Sequence, residues 1–154
     1  MSDELLEERF RVTTRMYQTL RVGVFLYGAI AYLAVKNATA GSPQGEGVWL
    51  LKYTLFFAAL TSVMIIPKIQ QRMLKVHPEE EEPEDAYLVE KLYKMQMFSL
   101  GMCEVPAFLG MVLSIVLKNL PIFLVFITIA YAGLFHYRPR WEDWKAYMRQ
   151  THYL

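Results

Sequence analysis

Four apolar stretches dominate this sequence, running from Val22 to Val35, Trp49 to Pro67, Met95 to Leu117 and Asn119 to Tyr137, and charged residues lie almost entirely between or outside them. A hydrocarbon solvent imposes this segregation, because a spanning helix needs about 20 mainly apolar residues and few charges. The hydrophobic share of 55% exceeds the roughly 45 to 50% of soluble domains, and the excess sits in these stretches.

The third stretch has 23 residues, which at about 1.5 Å each span a core of about 30 Å. The first is shorter, with 14 residues between Arg21 and Lys36. It crosses only if it borrows neighbours on both sides while the two cations snorkel, the alternative being a buried or interfacial helix. The expected architecture is all-α: an integral membrane four-helix bundle in a single domain, with spans at about 17–38, 48–68, 95–117 and 119–137 and amphipathic interfacial helices at both ends.

Of the 16 lysines and arginines, all but Lys36, Lys52 and Lys118 flank one set of span ends. The positive-inside rule therefore places both termini and the middle loop in the cytoplasm, as an even number of spans requires. The expected location is the bacterial inner (plasma) membrane. A net charge of +1 gives no electrostatic footprint for nucleic acid. The acidic opening MSDELLEERF is not a cleavable signal, so the first span is expected to act as its own insertion signal.

Residues 3–19 alternate charges with Leu6, Phe10, Met16 and Tyr17, a pattern for a helix lying at the membrane surface before the chain turns in. The tail RPRWEDWKAYMRQTHYL, with Trp141, Trp144 and Met148 at helical spacing beside cations, reads as a second interfacial anchor. NATAGSPQGEG at 37–47 marks an external loop, and EEEEPED at 79–85 a solvated cytoplasmic turn within about 77–86. Calcium is not expected at that turn, which has no ligand spacing around a turn glycine. Lys118-Asn119-Leu120-Pro121 forces an external hairpin, with proline suited to the first turn of the next helix.

One ionisable group lies deep in the apolar stretches, Glu104 in FSLGMCEVPAFLGMVLSIVL. A charge at mid-membrane costs several kcal/mol, and even a neutral carboxyl needs a partner for its proton. Thr61, Ser62, Ser99, Ser114, Thr128 and Tyr131 lie at plausible depths. Thr128 is the first expectation, since the hairpin makes its helix adjacent. Gly101, Ala107, Gly110 and Ser114 lie on or near the same side of the helix, where small residues admit a neighbouring helix, so Glu104 is expected to face protein from this chain or a second copy.

The string Cys103-Glu104-Val105-Pro106-Ala107-Phe108-Leu109-Gly110-Met111-Val112 resembles the carboxylate-bearing helix of the proteolipid, or c-type, subunits of rotary ATPases. That resemblance implies an ion-carrying role for Glu104, with Ala107 and Gly110 as packing positions. It covers about one span. The whole chain is more similar to uncharacterised four-span proteins of bacterial membranes that carry an E-x-P-A-x-x-G segment in the third span.

His77, His136 and His152 sit at or beyond the cytoplasmic boundary, so no pair of spans offers axial haem ligands. No metal-ligand spacing, phosphate loop or nucleophile–base set is apparent, Cys103 is the one cysteine, and Met95, Met97, Met102 and Met111 read as packing residues rather than copper ligands. No cofactor, metal or enzymatic activity is expected. The leading expectation is a structural or accessory subunit of a membrane complex, or a self-associating bundle, with the bilayer and other membrane subunits or further copies of itself as partners. The competing one is proton or cation translocation through Glu104.

Overall fold

The computed structural model describes residues 2–38, 45–74 and 85–151, and every regular element among them is a helix. The helices are α1 (Ser2–Lys36), α2 (Glu46–Met64), α3 (Ile66–Leu74), α4 (Asp85–Leu117), α5 (Leu120–His136) and α6 (Trp141–Thr151). Most of the 37–47 loop, the acidic turn up to Glu84, His77 and His152 lie outside the described residues.

Three helices are long and apolar enough to cross a membrane; a fourth crossing is reached if α5 is taken together with α6, from which it is bent by 49°. Alone, α5 has 17 residues, about 26 Å at 1.5 Å per residue, slightly less than the hydrocarbon thickness of about 30 Å. α2 and α3 are nearly continuous, broken at Ile65 just before Pro67. There the proline ring would clash with the carbonyl one turn back, and it offers no N–H to the helix ladder.

α4 is the central element and packs against each of the others, while α5 packs against α1, α2 and α4. α1 and α2 therefore each pack on both helices of the α4–α5 hairpin. Two glycines explain the closeness of that hairpin. A Cβ at Gly110 would sit 2.4 Å from Cβ of Phe126, and one at Gly133 would sit 2.9 Å from Sγ of Cys103. Neither position tolerates a side chain without displacement, so each helix presses its backbone against the other's side chains.

The hairpin turn closes α4 with paired bonds from Lys118 N–H to the Ile115 carbonyl and from Asn119 N–H to the Ser114 carbonyl. This is a Schellman cap with lysine, at φ 50°, where glycine usually sits. Pro121 occupies the first turn of α5 as its missing N–H allows.

The amino-terminal residues continue α1, and α6 packs on α1 and α4. Residues 2–20 are part of one uninterrupted 35-residue helix, α1. α6 buries Trp144 (2% exposed) and Met148 against Leu6 of α1 and Leu88, Val89 and Leu92 of α4. Phe10 adds ring contacts to Trp141 at 5.0 Å and to Trp144 at 5.5 Å. The apolar faces expected to anchor at an interface meet each other here. Burying each such side chain contributes about 1.5 to 3 kcal/mol. The result is a terminal layer, in which the first half of α1, the start of α4 and α6 share a core of their own. Arg9 and Glu90 bridge it at 3.2 Å, both about one-third exposed, an ion pair worth about 1 kcal/mol at most.

Candidate functional site

Glu104 is half-buried on α4, on the edge that faces α1. The Tyr27 hydroxyl donates to its Oε1 at 2.6 Å. Gly23, one turn before Tyr27, makes room, since a Cβ there would lie 3.7 Å from the same oxygen. One turn beyond Glu104, Phe108 meets the Tyr27 ring edge-on at 6.1 Å. The Gly23-x-x-x-Tyr27 face of α1 thus embraces the Glu104-x-x-x-Phe108 face of α4, joining one polar contact to one aromatic contact at the four-residue spacing that aligns side chains on a helix.

The other candidates are placed elsewhere. The Thr128 hydroxyl donates to the Leu124 carbonyl of its own helix, and the residue is exposed, so it is not the partner of Glu104. Ser62 bonds Ala59 in the same way, and Tyr131 reaches the Arg21 carbonyl of α1 at 3.1 Å. Ser99 bonds the Met95 carbonyl and accepts from the Gln70 amide of α3. Ser114 is fully buried, with no hydrogen-bond partner for its hydroxyl.

The small residues do not share one purpose. Ala107 and Gly110 are buried, and Gly110 receives Phe126 of α5, whereas a Cβ at Gly101 would meet nothing within 4 Å. The closest helix contact therefore lies on the α5 side of α4. The neighbour that takes up Glu104 is α1 of the same chain.

Tyr27 was hidden in the sequence because it sits in the first apolar stretch and its ring counts as part of that stretch. The available signal was a glycine four residues before a tyrosine. That spacing puts a gap and a hydroxyl on one helix face.

Around this pair, polar side chains tie helices together in the half of the bundle nearer the termini. The Gln70–Ser99 bond joins α3 to α4, the Gln96 amide donates to the Tyr137 carbonyl at the end of α5, and Tyr131 joins α5 to α1. Arg21 lies over the Tyr17 ring, one turn toward the amino terminus, as a snorkelling cation does. In the terminal layer, burial raises the Tyr147 hydroxyl above its ordinary value of 10. Among the described residues, no group of three or more His, Cys, Asp or Glu side chains could hold a metal ion.

Comparison with known proteins gives no match: no family model, no curated protein and no solved structure is significantly similar to this chain.

Proposed function

We propose that this chain is a non-enzymatic membrane protein of four spans with both termini in the cytoplasm. In this reading it serves as a structural or accessory subunit of a membrane assembly, or as a self-associating bundle. The observation that carries it is the 2.6 Å bond from Tyr27 to Glu104. The one carboxyl deep in the apolar segments is taken up by its own chain and fixes α1 against α4, a role a buried polar group can fill by setting helix register. Large exposed apolar side chains along α1, including Val22, Phe25, Leu26, Ile30 and Leu33, form an apolar face suited to lipid. The thirteen cations gathered at one set of span ends support the orientation.

Ion or proton transfer through Glu104, as its resemblance to proteolipid helices implies, is the competing reading, favoured by the partial exposure of the residue. Against it, the next polar side chain of α4 toward the hairpin is Ser114, ten residues on and about 15 Å away at 1.5 Å per residue. Its hydroxyl is unpartnered rather than linked into a chain.

A hydrophobic carbodiimide separates the two. On the structural reading Glu104 resists labelling in the native bilayer, and Glu104→Gln preserves assembly while proteoliposomes show no proton flux above protein-free controls. Ready labelling that protons or cations modulate, together with a flux abolished in Glu104→Gln, would establish transfer instead.

A further inference from the structure

The hairpin end of the bundle carries a groove that the packing of its own helices leaves unfilled. Phe56 of α2, Leu113 of α4 and Ile122, Val125 and Phe126 of α5 wall a cavity of about 270 Å³, and Lys52 joins the lining. Its volume is near the lower limit of about 300 Å³ for small-molecule sites. The walls are apolar side chains, and Val125 is half exposed on the outer surface of α5. Such a cleft suits a flexible hydrocarbon better than a polar solute.

The neighbouring residues specify more than hydrocarbon. Trp49 and Tyr53 stack at 5.9 Å and are both more than half exposed, the composition that marks headgroup depth in spanning helices. The Lys52 ammonium lies 5.2 Å from the centre of the Trp49 ring, and no carboxylate among the described residues pairs with it. With Lys36 and Lys118, it is one of the three cations of the sequence assigned to the hairpin side of the apolar stretches. An ammonium beside an apolar cleft, next to Trp and Tyr of the kind that mark headgroup depth, complements an anion attached to a hydrocarbon chain.

We infer that this groove is a specific phospholipid site, with one acyl chain between α2 and α5 and the lipid phosphate on Lys52. The inference rests on the membrane reading given above, but not on which leaflet the hairpin faces. Lysine binds phosphate here as a point charge, so the headgroup beyond the phosphate is not selected.

The test is native mass spectrometry of the full chain released from nanodiscs of mixed phosphatidylethanolamine and phosphatidylglycerol. The parent protein should retain one phospholipid. Val125→Trp, which fills the groove, and Lys52→Gln, which removes the ammonium, should each lower retention about tenfold, while Lys52→Arg and Leu26→Trp on the lipid-facing side of α1 should keep it. Helical circular dichroism of each variant verifies folding. Retention unchanged in either Val125→Trp or Lys52→Gln overturns the site. Recovery of the chain in plain buffer without detergent would instead overturn the membrane reading, a separate outcome.

Discussion

The hydroxyl of Tyr27 and Oε1 of Glu104 lie 2.6 Å apart across the α1–α4 seam, although 77 positions separate them in the chain. Neither helix could adopt another register against its partner without leaving a carboxyl unpaired in an apolar seam, which costs about 1 to 3 kcal/mol or more for a buried polar group. Gly23 makes the approach possible, and its contribution can be tested separately from the hydrogen bond.

Gly23→Ala should be tolerated, because the added methyl would stand 3.7 Å from Glu104 Oε1, an ordinary contact. Gly23→Leu should push the carboxyl away from Tyr27 and destabilise the fold by about 1 to 3 kcal/mol, the usual cost of overpacking. Reversible unfolding in mixed micelles measures both.

The glycines of α4 and α5 should divide sharply. Gly110→Ala and Gly133→Ala place a methyl 2.4 Å from Phe126 Cβ and 2.9 Å from Cys103 Sγ, so each should lose about 1 to 3 kcal/mol. Gly101→Ala meets open space and should gain about 0.5 to 1 kcal/mol from helix propensity. A loss at Gly101 comparable with that at Gly110 would mean that another helix, absent from this chain, packs on that face. The same micelle titrations report it.

These positions show how far the sequence could be read. Apolar runs and the placement of charges locate the helices, since both follow from solvent and the 1.5 Å rise, but not all their ends: α1 and α4 begin at Ser2 and Asp85, well before their apolar runs. The Lys118–Pro121 hairpin was legible because so short a link admits no alternative. Glu104 was legible as the anomalous group. Its partner was not: Thr128 lies in the adjacent helix, but its hydroxyl is satisfied by the Leu124 carbonyl one turn back, a local bond always open to threonine in a helix. The face of α4 that meets each neighbour depends on which glycine receives which side chain, and spacing alone does not decide it. The terminal layer was likewise hidden, because an amphipathic helix has the same pattern whether it lies on lipid or on another helix.

The terminal layer should behave as a protein core rather than a lipid anchor. Trp144→Ala should cost about 3 to 5 kcal/mol locally, the range for emptying a buried aromatic site, and release α6. Hydrogen exchange in nanodiscs should then show α6 amides losing protection while those of α5 keep theirs. If α6 stays protected in lipid after this change, its apolar face rests on the bilayer and not on Leu88 and Val89.

The central claim, that Glu104 is a structural clamp held by Tyr27, is tested most directly by a double-mutant cycle. Tyr27→Phe, Glu104→Met, which removes the acceptor oxygen, and the combined variant would be unfolded reversibly in bicelles. The account predicts a coupling energy of about 0.6 to 1.7 kcal/mol, from the average to the maximum found by such cycles for hydrogen bonds between membrane helices. Additive effects, with coupling indistinguishable from zero, would contradict it.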